Sequence, residues 1–135
     1  MRQIILLSCS LILLMTSFSS KAQTAKKDLS VSTSDKIEVY YFHFSSRCVT
    51  CKTVEAETKA DVQNLYNGAV SFQSINLDDD SSKAIAERLK VSGQTLLIVK
   101  GAQQINLTNE GFMYAMTNPA KFKSIIKKKI DVLRN

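Results

Sequence analysis

The sequence predicts an α/β domain with a central mixed β-sheet flanked by helices. Between residues 36 and 135, short runs rich in β-branched and aromatic residues alternate with segments of helix-forming composition. The resulting order is strand, helix, strand, helix, strand, strand, helix. Because a helical segment joins the first two strands, we expect these strands to be parallel neighbours in the sheet.

The first half of the domain contains two strands and the helix between them. Residues 37–44 are mostly β-branched or aromatic, which is typical of a buried strand. Residues 49–66 have helix-forming composition, and the Asn67-Gly68 pair after them is a common helix stop. Residues 70–77 predict the second strand.

An acidic turn at residues 78–81 leads into a short helix predicted over residues 82–90. Three consecutive aspartates suggest a site for a hard cation. We favour the simpler interpretation of a solvated loop in which Asp80 or Ser81 caps the helix that follows.

The second half of the domain contains two strands and a basic helix. Residues 95–100 and 104–107 predict the strands, and Asn118-Pro119 combines an N-cap residue with a proline at the first helical position. Lysines and apolar residues then alternate at helical spacing, which predicts an amphipathic helix with a solvated basic face. We favour that reading over a binding site for an anionic partner.

The N-terminal residues 1–22 have the pattern of a secretory signal peptide. Arg2 is followed by an apolar run, and Ser20-Lys21-Ala22 places small residues at the positions that a signal peptidase reads. The main alternative is an uncleaved anchor, although the run is short for a span of roughly 20 residues. We therefore expect export across the inner membrane to the periplasm, with residues 23–35 as a flexible leader and 36–135 as the folded domain.

Composition limits the classes of function. Cleavage leaves 113 residues, enough for one small domain, and lowers the net charge from +6 to +4. No tryptophan is present, and no basic segment carries the aromatics typical of nucleic-acid binding. The chain has no Gly-rich nucleotide motif, so we expect no cofactor and assign electron supply to another protein or a small thiol. The sequence leaves the oligomeric state open.

Two cysteines, Cys48 and Cys51, are the only ones outside the predicted signal peptide. They fall between the first strand and the first helix, at the carboxyl edge of the sheet, where α/β proteins place their sites. Unpaired N–H groups and the helix dipole favour a thiolate at that end of a helix. We therefore predict Cys48, beside the positive Arg47, as the nucleophile, and Cys51, one turn on, as the resolving thiol.

Other roles for this pair are a permanent structural disulfide, a thiol-based metal site and a passive disulfide in an adaptor protein. A disulfide that spans only two intervening residues restricts the unfolded chain very little, which disfavours a purely structural disulfide. A thiolate pair suits Cu(I), with His43, the only histidine, as a candidate third ligand, but two thiolates are too few for a closed zinc site. We favour a packed or hydrogen-bonded structural role for His43, and interpret Glu55 and Glu57 as surface charges.

Three segments together resemble the signature regions of the thioredoxin-like family: residues 47–52 after an aromatic strand, 76–78 at the end of the second strand, and 91–101 around the third. The resemblance implies a thioredoxin fold and thiol-disulfide exchange with protein or small-molecule thiols and disulfides through Cys48 and Cys51. The residues to which it assigns substrate binding or redox tuning are Arg47, Lys52, Gln94 and Thr95.

The sequence departs from that family's pattern at several positions. Gln94 stands where the family has a cis-proline before Thr95, and we expect a trans bond because a cis bond there costs about 2.5–4 kcal/mol. Phe42 aligns with the buried acid of many thioredoxins. Val49-Thr50 replaces Gly-Pro between the cysteines. These departures argue against a fast thioredoxin-type reductant. They also strengthen metal binding as an alternative.

Overall fold

The computed structural model describes residues 35–135, so the predicted signal peptide and all of the predicted leader except Asp35 lie outside the described residues. Within that range, no helix is long and apolar enough to cross a membrane. The elements in chain order are β1 (Ile37–His43), α1 (Val49–Tyr66), β2 (Ser71–Asn76), a 3-10 turn (Asp80–Ser82), α2 (Lys83–Leu89), β3 (Thr95–Lys100), β4 (Gln103–Asn106), α3 (Thr108–Tyr114) and α4 (Pro119–Arg134).

The four strands form one mixed sheet in the order β2-β1-β3-β4. Strands β1 and β2 are parallel, as the helical crossover predicts, whereas β3 is antiparallel to both β1 and β4. In the centre of the sheet, Tyr41 of β1 lies opposite Ser74 of β2 and Leu96 of β3. The predicted mixed α/β architecture is confirmed.

Strand β1 is buried on both faces, which explains its nearly continuous apolar sequence. Val39 and Tyr41 point into the larger core, where α1, α3 and α4 pack on the sheet. Tyr40 and Phe42 point into the smaller core beneath α2. The α4 residues Phe122, Ile126 and Ile130 are among the fully buried side chains of the larger core.

The predicted ends of the long helices are present. After α1, Asn67 adopts the left-handed conformation with φ of 44°, and its N–H donates to the carbonyl of Gln63. At the start of α4, the Asn118 side chain accepts a hydrogen bond from the backbone N–H of Lys121 at 3.1 Å, and Pro119 occupies the first turn. Local capping signals therefore set both boundaries.

Among the secondary-structure elements, the structure differs from the prediction most at α3 and at the acidic turn. Helix α3 was not predicted, because its two turns have weak helical propensity and depend on packing. Gly111 makes that packing possible, since a Cβ there would lie 2.9 Å from Cγ1 of Val54 on α1. In the acidic turn, Asp79 is the N-cap of the 3-10 turn and Ser82 that of α2, so the prediction of Asp80 or Ser81 was wrong.

A buried tyrosine joins the end of α1 to α4. The Tyr66 hydroxyl donates to Oδ1 of Asp131 at 3.0 Å and lies 3.3 Å from the carbonyl oxygen of Lys127. Burial, together with the neighbouring Asp131 carboxylate, raises the pKa of Tyr66 to about 12. The hydroxyl therefore remains a hydrogen-bond donor well into the alkaline range.

We expect Tyr66→Phe to lower the free energy of unfolding by about 1 kcal/mol at neutral pH, the usual net value of one hydrogen bond. Since folding raises the pKa of Tyr66, its contribution is present below the usual tyrosine pKa of 10.0 and is lost as the pH rises toward about 12. The stability difference between wild type and variant should therefore shrink across that window in urea unfolding. Tyr114→Phe on α3 is the control, and an unchanged difference for Tyr66→Phe would contradict the assignment.

Candidate functional site

Cys48 and Cys51 are joined by a disulfide at the N-terminus of α1, with their Cα atoms 5.1 Å apart. Cys48 is exposed, whereas Cys51 is only 6% exposed. The structure therefore places the first cysteine within reach of a partner molecule and the second beneath it.

Cys48 is the N-cap residue of α1. Its Sγ accepts a hydrogen bond from the backbone N–H of Cys51 at 3.2 Å. At a helix N-terminus such N–H groups have no partner within the helix, and the positive end of the helix dipole points the same way. Both effects favour negative charge on the Cys48 sulfur when the disulfide is reduced.

A chain of two hydrogen bonds supports Cys51 from below. The fully buried Tyr41 donates its hydroxyl proton to the Cys51 carbonyl at 2.8 Å, and the Gln94 side-chain amide donates to the Tyr41 oxygen. Burial raises the pKa of Tyr41, so this hydroxyl keeps its proton. Within residues 35–135 every peptide bond is trans, which confirms the prediction for Gln94. The neighbouring Thr95 hydroxyl donates to the Gly93 carbonyl at 2.9 Å.

The strand residue beneath the dithiol is Tyr41, not Phe42. Phe42 lies in the smaller core on the opposite face of the sheet, because successive side chains of a strand alternate between faces. The position that the sequence comparison matched to a buried acid therefore faces away from the dithiol. A buried acid, Asp61, does occur on α1, but it lies ten residues beyond Cys51, about 15 Å along the helix axis.

Glu55 is a partly exposed charge that pairs with the residue before Cys48. It forms an ion pair with Arg47, and the two side chains are only 22% and 23% exposed. Burial alone would raise the pKa of Glu55, but the hydrogen bond from the Ser74 hydroxyl and the charge of Arg47 outweigh it and hold that pKa below its usual value. Arg47 therefore shares its charge with Glu55 and is not a free cation beside Cys48.

His43 is buried and hydrogen-bonded through both ring nitrogens. Nδ1 lies 2.9 Å from the Phe44 carbonyl oxygen, and Nε2 lies 3.0 Å from Oγ of Ser74. Across the described residues, no three His, Cys, Asp or Glu side chains are grouped to hold a metal ion. The structure therefore does not bring His43 together with the two cysteines as a ligand set.

The remaining site residues lie at the rim. Lys52 is exposed on the first turn of α1, and Val49, between the two cysteines, is 71% exposed. On the other side, Asp78 accepts a hydrogen bond from the backbone N–H of Ser45 at 2.7 Å, which lowers the pKa of Asp78. This bond ties the acidic turn to the loop that leads to the cysteines.

Sequence reasoning missed Tyr41, Ser74 and Glu55 as members of the site. The period-two alternation of β1 was a usable signal for Tyr41, because it shares a face with His43. The spacing of Glu55 one turn after Cys51 was a second signal. Ser74 carried no signal of its own, since its role depends on the pairing register of β1 and β2.

No family model matches the sequence, and no curated protein is significantly similar to it. Among solved structures, Trxlp from Edwardsiella tarda is similar with a TM-score of 0.50 and 18% identity, covering 71% of this chain and 86% of Trxlp. Thioredoxin O2 from Arabidopsis thaliana in its oxidized state has 19% identity, a TM-score of 0.48, and coverage of 70% of this chain and 75% of its own. Thioredoxin from Trypanosoma brucei brucei has 19% identity, a TM-score of 0.46, and coverage of 73% and 79%.

The match to Trxlp concerns the same architecture that the strands and helices of this chain define. A mixed four-stranded sheet is flanked by helices, and a Cys-X-X-Cys pair stands at the junction of β1 and α1. The chain therefore has a thioredoxin-like α/β fold, as the resemblance in its sequence implied.

Proposed function

We propose that this protein is an exported thiol-disulfide oxidoreductase that cycles between the Cys48–Cys51 disulfide and the dithiol. One observation carries the proposal: an exposed cysteine caps a helix, with a backbone N–H on its sulfur, while its bonding partner is buried beneath it. A purely structural disulfide requires neither an exposed sulfur nor a cysteine at a helix N-cap. The thioredoxin-like fold and the position of the pair in it add support.

The reduced protein acts in two steps. The Cys48 thiolate attacks one sulfur of a partner disulfide, a mixed disulfide forms, and the first partner sulfur leaves as a thiolate that takes up a proton. The Cys51 thiol then gives up its proton and attacks Cys48 Sγ. The protein disulfide closes, the second partner sulfur leaves, and two electrons have passed to the partner. The oxidised protein runs the same steps in reverse.

The surface around Cys48 suits protein or small-molecule thiols and disulfides. Val49 and Phe44 are exposed hydrophobic residues on either side of the exposed sulfur along the chain. Val49 offers apolar contact area directly after Cys48, and Lys52 adds a cation on the same turn of helix. A partner that presents an apolar stretch beside its disulfide fits this rim.

Export is the second part of the proposal. It rests on the signal pattern of residues 1–22, whose small residues Ser20 and Ala22 precede the expected new N-terminus at Gln23. An oxidising compartment such as the periplasm allows the disulfide state of the pair to persist between reaction cycles.

The roles of the two cysteines differ in a way that substitution tests. We expect Cys48→Ser to abolish exchange with glutathione disulfide, because the exposed nucleophile is lost. Cys51→Ser should keep the first attack and accumulate a mixed disulfide with glutathione, visible as an added mass on the intact protein. Wild-type exchange rates in both variants would refute the proposed function.

Signal processing is tested separately. Full-length protein produced in a Gram-negative host should be recovered from the periplasm. The mass of the intact protein should match a chain that begins at Gln23. Ala22→Asp should block cleavage because the peptidase needs a small residue there. Ala25→Asp, the same change just beyond the site, is the control and should be processed normally. A wild-type product that retains residues 1–22 would contradict export with cleavage.

A further inference from the structure

The two outer strands of the sheet are protected to different degrees. In the sheet that residues 35–135 form, the edge strands are β2 and β4. An edge strand presents unpaired N–H and C=O groups, which natural proteins usually protect by a short strand, a charge, a proline or a bulge. Strand β4 is protected by its length, because it has only four residues. Strand β2 is longer, with six residues.

Strand β2 carries none of the other protecting features. Residues 69–77 contain no charged residue and no proline. The register that pairs Glu38–His43 with residues 71–76 is uninterrupted, so β2 has no bulge. Gln73 and Ser74, in the middle of the strand, are exposed. The outer edge of β2 is therefore open to pairing with another strand.

The contact of β2 with β1 shows which backbone groups face this open edge. The N–H of Leu77 donates to the carbonyl of His43 at 2.7 Å. Because successive residues of a strand direct their backbone groups to opposite sides, the odd-numbered residues of β2 also bond toward β1. The N–H groups of Phe72, Ser74 and Asn76 therefore point outward, away from β1.

A groove beside the first residues of β2 adds side-chain contacts to this edge. It has a volume of about 280 Å³ and lies between α1 and β2. Val62, Val70 and Phe72 supply its apolar lining, while Lys59 and Gln63 of α1 supply polar groups and are exposed. A strand added at this edge would therefore find an apolar contact and a cation at one of its ends.

We propose that β2 pairs with β2 of a second copy of this chain, antiparallel and about a two-fold axis at Ser74. Ser74 is the central residue whose N–H points outward, so the two copies of Ser74 exchange N–H···O bonds and Phe72 lies opposite Asn76. A two-fold interface is self-complementary, so the strand must be compatible with itself. An uncharged strand meets this condition, because no like charges face each other across the pair.

The charges beyond the two ends of β2 favour the antiparallel arrangement. With Ser74 opposite itself, Asp78 after the end of one β2 lies opposite Val70 at the start of the other. Val70 lines the same groove as Lys59. The acidic turn of each copy therefore meets the Lys59 end of its neighbour, which gives two symmetric attractions. A parallel arrangement would place like charges together at both ends.

Sedimentation velocity over a range of protein concentrations tests this pairing. We expect a monomer–dimer equilibrium for the wild type. Gln73→Lys should raise the dimer dissociation constant about tenfold or more, because two lysines then face each other near the axis. Gln104→Lys, the same change on β4, is the matched control and should leave the constant unchanged. Both variants should still exchange with glutathione disulfide, which separates this test from that of the redox function.

A charge reversal tests the antiparallel direction. Lys59→Glu should weaken the dimer about tenfold, because both symmetric contacts with the acidic turns become repulsive. Added salt should weaken the wild-type dimer but strengthen the Lys59→Glu dimer. Lys128→Glu, the same reversal at an exposed position of α4, is the control and should behave as the wild type. A Lys59→Glu dimer as stable as the wild type at low salt would overturn the antiparallel pairing.

Amide hydrogen exchange locates the interface in the unmodified protein. The outward N–H of Ser74 should exchange more slowly as the concentration rises and the dimer forms. A monomer at every concentration, or a dimer that Gln73→Lys leaves intact, would overturn the proposal. Slow exchange of the Ser74 N–H that is independent of concentration would also overturn it, because another segment of the same chain would then cover β2.

Discussion

The structure of the site depends on the strict alternation of side chains along β1. This strand lies inside the sheet and is buried on both faces, so a shift of one residue would exchange the contents of the two cores. The alternation places Tyr41 and His43 under α1, and Tyr40 and Phe42 under α2. Tyr41 and His43 are the polar residues of β1 on the α1 face, and both form hydrogen bonds near the start of α1.

The electrostatics of Cys48 follow from what surrounds it rather than from its neighbour in sequence. Arg47 is neutralised by Glu55, so its field at the sulfur is that of an ion pair. Charge–dipole interactions at a helix N-terminus contribute about 0.3–1 kcal/mol. A hydrogen bond to a charged group contributes about 1.5–3 kcal/mol. In a reduced protein, the N–H of Cys51, already directed at Cys48 Sγ, would therefore contribute more to a Cys48 thiolate than the helix dipole.

Local signals in the sequence predict most of the fold. The stops and caps at Asn67, Asn118 and Pro119 act within a few residues of their partners, and the strands of the core carry strong β-forming composition. Helix α3 could not be predicted in this way, since its stability comes from contact with α1 and α4. The same difference between local and long-range signals holds for the site. Spacing alone located the cysteines, but the partnership of Ser74 with Glu55 requires the register between β1 and β2.

Gln94 and Glu55 each belong to a hydrogen-bond chain that passes through a hydroxyl group. Gln94 acts through Tyr41 on the Cys51 carbonyl, while Glu55 is joined through Ser74 to His43. Partly shielded polar networks of this kind are rigid when every member is satisfied and costly when one is not. The chain through Tyr41 holds the Cys51 carbonyl, while Cys48 is exposed at the cap. In the proposed exchange the two cysteines have different parts, because the outer sulfur is open to a partner molecule and the inner sulfur lies beneath it.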